Sequence, residues 1–100
     1  MLPSGPPGHD YLDDARRLLK EWMGDAREMR RTLRIDDSEH AALTERIKVA
    51  ADVLHLRPEV RRLDGHTQIR VKAPDGRTLT AGEVTLAARI EAAYRAVVGT

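Results

Sequence analysis

The pair Asp64-Gly65, with the two runs that flank it, constrains this chain more than any other feature. Both residue types tolerate positive φ, which the favoured two-residue hairpin turns require. Glu59-Val60-Arg61-Arg62-Leu63 leads into the pair, and His66 to Ala73 leads away. In the second run Thr67, Ile69 and Val71 share one face, while Gln68, Arg70 and Lys72 share the other. Period two is the rhythm of a strand with one covered face. A hairpin of this kind needs something to cover it, and the rest of the chain supplies candidates.

Met29, Arg31, Leu33 and Ile35 alternate with Arg30, Thr32 and Arg34, so residues 29–35 read as a further strand, with Arg31 on its otherwise apolar face. Trp22 to Arg27 can add a short strand against it. Asp36 with Glu39, or Ser38 alone, opens a helix whose stripe is Leu43, Ile47, Ala50 or Ala51, and Leu54. Pro58 biases the residue before it out of the helical region, which places the helix end near His55 or Leu56. Pro74-Asp75-Gly76 reads as a second turn. Thr80 and Glu83 form a capping box for a last helix, with Val84, Ala87, Ile90, Tyr94 and Val97 at helical spacing. Upstream, Tyr11 to Met23 carries a three-four apolar rhythm with Gly24 as its stop, and residues 1–10 read as a flexible Pro- and Gly-rich tail. The expectation is a single domain over 11–98. Its class is α+β: a two-layer sandwich, an antiparallel sheet with helices packed on one face.

Composition narrows the function classes. The chain has 100 residues and a formal charge of +1, so no global field draws it to nucleic acid or an anionic membrane. There is no Phe and no Cys, so the core must be aliphatic, and disulfides and thiolate metal sites are excluded. No apolar run approaches membrane-spanning length, and no signal-like stretch is present, so the expectation is a cytoplasmic protein. His9, His40, His55 and His66 are scattered without metal-ligand spacing, so no metal and no cofactor is expected. Asp13-Asp14 and Asp36-Asp37 fall at helix starts, where capping explains them. Arg27, Arg30, Arg31 and Arg34 form the densest basic cluster. Without interleaved aromatics it suits an acidic protein partner better than a nucleic acid.

Longer motifs carry a resemblance. Ile47 to Val60, "IKVAADVLHLRPEV", is similar to the helix and His-His-Pro corner of the pterin-4a-carbinolamine dehydratase family. Thr67 to Ala93 resembles that family's following strand, its Leu-Thr-x-x-Asp cap and its Leu-Ala-x-x-Ile helix, and Trp22 fits the tryptophan before its first strand. The resemblance covers roughly residues 12–97. It implies a four-stranded antiparallel sheet with helices on one face, and a homodimer joined through sheet edges.

It also marks losses. The positions that the resemblance assigns to the catalytic histidines hold Leu56, Arg57 and Pro74. Asp52 keeps the acid of the preceding helix turn, and Pro58 keeps the corner proline. Dehydration of a carbinolamine needs groups that exchange protons near neutral pH, as histidine does. Leucine and proline transfer none, and arginine stays protonated. The expectation is therefore a protein without dehydratase activity, its catalytic residues gone. His55 adjoins the lost pair and is expected at the helix end, favouring the dipole.

Among non-catalytic members, the chain resembles the subgroup found with carboxysome genes, which helps ribulose-bisphosphate carboxylase/oxygenase assemble. That implies a homodimeric assembly factor or chaperone in α-carboxysome-containing bacteria, cytoplasmic or carboxysome-associated, with carboxylase subunits as partners. The candidate partner contacts, chosen from charge and position, are Arg30, Arg31, Arg34, Arg57, Arg61 and Arg62. The alternatives are an active 4a-hydroxytetrahydrobiopterin dehydratase and a transcriptional coactivator of the same fold.

Overall fold

The Asp64-Gly65 turn does form a hairpin, with φ of 42° and 81° at its two residues. Its arms, β3 (Glu59–Leu63) and β4 (His66–Lys72), pair antiparallel from Leu63 opposite His66 to Glu59 opposite Arg70. The computed structural model describes residues 20–74, 76 and 78–99. The expected tail over 1–10 and most of the expected helix over 11–23 lie outside the described residues.

The other strands are β1 (Met23–Gly24) and β2 (Glu28–Arg34), and the helices are α1 (Asp37–Leu54) and α2 (Ala81–Val98). The sheet is four-stranded in the order β1-β2-β4-β3, antiparallel throughout. Both helices pack on one face, so the fold is the expected α+β arrangement.

The sequence pattern sets which face is covered. Met29, Arg31 and Leu33 of β2 sit opposite Val71, Ile69 and Thr67 of β4, and Val60 sits opposite Ile69 from the other side. Leu33, Thr67, Ile69 and Val71 are buried beneath Leu43, Ile47 and Ala51 of α1 and Leu86, Ala87 and Ile90 of α2. Fully burying an aliphatic side chain of this size contributes about 1.5–3 kcal/mol, and these residues supply it without a phenylalanine.

The expected helix boundary at Met23 is corrected by the structure. Lys20 and Glu21 lie in a turn, and Met23 is already in a strand, paired with Arg30. Gly24 is therefore not a helix stop. At φ 147° its Cα runs so close to Glu28 that an added Cβ would lie 2.0 Å from the Glu28 carbonyl oxygen. Asp25 closes this tight connection by accepting from the backbone N–H groups of Arg27 (2.8 Å) and Glu28 (3.2 Å). The same loop holds the segment after β4, because Ala73 and Leu79 donate to the carbonyls of Arg27 and Ala26. No helix of the described residues is long and apolar enough to cross a membrane.

Candidate functional site

α1 ends in a way the proline alone does not explain. His55 is left-handed (φ 56°, ψ 41°). Its N–H donates to Asp52 O at 3.2 Å, and the Leu56 N–H donates to Ala51 O at 2.9 Å. This pair of bonds is the Schellman motif, with a histidine where glycine is the usual residue. The reversal turns Leu56 back against the core and leaves His55 and Arg57 exposed. Pro58 follows and delivers the chain into β3.

Two clefts meet at this corner. One, of about 610 Å3, lies beside the C-terminal half of α1 and is lined by Lys48, Asp52, His55, Leu56, Arg57 and Pro58 among others. The other, of about 370 Å3, is lined by His55, Leu56, Arg57, Lys72, Pro74 and Glu83 among others. Leu56, Arg57 and Pro74 are thus brought to one cleft although Pro74 is distant in sequence. Asp52 and Pro58 line the adjoining one.

The chemistry available there is limited. Glu83 is buried, and its Oε1 accepts from both the N–H and the hydroxyl of Thr80, so it holds the start of α2. Among the described residues, His55 is the only imidazole lining either cleft. No described side chain hydrogen-bonds its ring, so nothing fixes the ring as a catalytic base requires. Among the described residues, no cluster of His, Asp and Glu has the geometry to hold a metal ion.

The candidate arginines separate into distinct environments. Arg31 points under α2. Its Nε and Nη2 donate to the two oxygens of the buried Glu91 carboxylate at 3.1 and 3.3 Å, and its guanidinium lies 5.5 Å from the Tyr94 ring centre. The Trp22 indole N–H donates to the same carboxylate at 2.9 Å. Arg62 also faces the helices, donating to Asp37 from Nε (3.0 Å) and Nη2 (2.8 Å) and to the Thr67 hydroxyl from Nη1 (3.2 Å). Thr67 Oγ1 lies 2.8 Å from His40 Nδ1, completing a polar seam at the start of α1.

Arg30 lies on the uncovered face, 3.4 Å from Glu28. Arg34 and Arg61 are on that face too, and Arg57 is at the corner. These three form no ion pair among the described residues.

Sequence reasoning did not find Glu91. A signal was present: Glu91 continues the Val84, Ala87, Tyr94 stripe of α2, just as Arg31 interrupts the apolar face of β2. Two opposite charges, each on the face that must be buried, are candidates to pair with one another.

Comparison with known proteins places the fold. No protein-family model and no curated protein matches the sequence. Among solved structures, the chain is similar to a transcriptional coactivator/pterin dehydratase from Brucella melitensis, with a TM-score of 0.69 and 16% identity over 84% of this chain and 93% of that one. At that identity the likeness is one of fold: the four-stranded antiparallel sheet and its two helices match the pterin-dehydratase architecture.

Proposed function

We propose that this chain keeps the pterin-dehydratase fold without the dehydratase chemistry, and serves as a non-catalytic assembly factor for ribulose-bisphosphate carboxylase/oxygenase in α-carboxysome-containing bacteria. One observation carries the first half. The three positions assigned to catalytic histidines by resemblance, Leu56, Arg57 and Pro74, converge on a single cleft and offer no proton-transfer group. Each lost general acid or base costs roughly a hundred- to ten-thousand-fold in rate, so losing three removes useful turnover.

The binding half of the reading is supported by what the fold leaves free. β3 forms one edge of the sheet, with no described strand beyond it, which suits pairing with a second copy. Arg34, Arg57 and Arg61 offer planar donor forks to carboxylates of a client. A dimer of this kind would hold carboxylase subunits while their correct interface forms, working in the cytoplasm or beside the carboxysome.

Co-expression tests the role. Full-length protein should raise the yield of soluble, assembled carboxylase and should bind isolated large subunits. Unchanged yield together with no binding would overturn the role.

A further inference from the structure

The face of the sheet that neither described helix covers divides its charge unevenly. At one end the row Arg30–Arg70–Glu59 and the pair Glu28–Lys72 hold all the carboxylates that β2, β4 and β3 place on this face. They are internally paired: Arg70 donates to Glu28 at 3.0 Å, and Lys72 lies 2.8 Å from Glu59. At the other end are the rows Thr32–Gln68–Arg61 and Arg34–His66–Leu63. These rows contain two cations, several hydrogen-bond donors and no carboxylate. They also contain Leu63, a strand leucine 52% exposed. Glu21, in the depression lined by Arg30, Thr32 and Gln68, bounds the patch on the β1 side.

The geometry points to this end of the sheet as a docking site for an extended acidic protein segment carrying one apolar side chain. The inference rests on the non-catalytic binding reading above, but not on the identity of the client. Charge complementarity selects the acid: among the described residues neither Arg34 nor Arg61 is in an ion pair, and Arg61 acts on the Lys72-paired Glu59 only weakly, through its charge. Arg34 and Arg61 stand on strands two apart, about 10 Å across the sheet and one pleat repeat, about 7 Å, along it. Their diagonal separation is thus about 12 Å, and carboxylates four positions apart on one side of an extended chain recur at about 13 Å, so one segment lying diagonally can engage both guanidinium groups. Leu63, in the Arg34 row, gives an apolar side chain of the segment a surface to cover. No described Trp or Tyr lies on this face and the chain has no Phe, so the described residues offer no stacking platform of the kind a single-stranded nucleic acid uses.

A fluorescent peptide of alternating glutamate and serine with one central leucine, titrated against the full chain at low salt, tests the site. Binding should fall about tenfold or more in the Arg34→Glu, Arg61→Glu double variant, and should stay within about twofold in Arg46→Glu, a single charge reversal on the outer side of α1. Backbone amide shifts in the unsubstituted protein should centre on Thr32, Arg34, Arg61, Leu63 and Gln68, which maps the site without any variant. No binding, equal loss in Arg46→Glu, or shifts centred elsewhere would each overturn the inference. Tighter binding of an oligothymidylate of equal charge at the same residues would overturn the partner class. If the peptide binds at this patch but carboxylase yield is unchanged on co-expression and isolated large subunits do not bind, the docking site stands and the proposed client falls. If yield rises while the peptide fails to bind, the client stands and this site falls.

Discussion

Arg31 and Arg34 stand three residues apart in one strand, yet the fold uses them differently. Arg31 faces the helices, where burial demands a partner, and it has one in Glu91, shared with Trp22. Arg34 faces away, where water serves as well as any carboxylate, and no described group pairs with it. Arg62 and Arg61 repeat the contrast on β3, Arg62 bonded to Asp37 and Thr67 and Arg61 left to solvent. Strand parity therefore sets Arg31 and Arg62 apart from Arg34 and Arg61, while Arg30 and Arg70 on the outer face are paired with Glu28. A chain with net charge of only +1 can still present a locally cationic surface.

The sharpest way to break this contrast is Arg31→Ala. It leaves the Glu91 carboxylate, 3% exposed, without its bidentate partner, and should cost about 3–5 kcal/mol by denaturant unfolding. Replacing both partners, Arg31→Met with Glu91→Leu, should recover most of that loss, because no charge is then stranded. Next in size is Arg62→Ala. Asp37 is 95% exposed and well screened, so the loss should be about 1 kcal/mol or less in the same measurement.

The corner calibrates the scale with a backbone effect. His55→Gly removes the Cβ penalty of the left-handed cap and should stabilise the protein by about 0.5–1 kcal/mol. Arg34→Ser and Arg61→Ser should each lie within about 0.5 kcal/mol of the parent. A loss at Arg34 like that at Arg31 would end the division between the two sets.

The smallest effect concerns the paired end of the open face. The Lys72 ammonium, through its hydrogen bond and then its charge, holds the Glu59 carboxyl below its ordinary value of 4.5, with Arg70 and Arg61 adding less. A lowered folded-state value stabilises the fold above the unfolded value, and that contribution is lost as pH falls through the lowered one. Lys72→Met should therefore move the Glu59 titration, followed by NMR, up toward 4.5 by more than Arg61→Met does.

Much of this was legible in the sequence. β3, its turn and β4 fall where alternation and Asp64-Gly65 put them, and Leu43, Ile47, Ala51 and Leu54 form the expected stripe. Strong local periodicity, backed by capping and turn chemistry, leaves few alternatives. Met23 and Gly24 were harder because two residues are too few to display a period, and the need for Gly24 comes from the Glu28 carbonyl across a turn. Glu91 was harder still, since its hydrogen-bond donors Arg31 and Trp22 lie 60 and 69 residues away. At the corner, the convergence of Leu56, Arg57 and Pro74 followed from resemblance, but the left-handed His55 did not. A histidine gives no glycine signal, and the strain comes from bonds the turn makes with the end of α1.

The central claim is that this fold has kept its corner and lost its proton chemistry, and a pterin dehydration assay on the full chain tests it directly. The account predicts no rate above the uncatalysed reaction at any pH from acid to neutral. Turnover like that of the enzymes sharing this fold, abolished by His55→Ala, would contradict it.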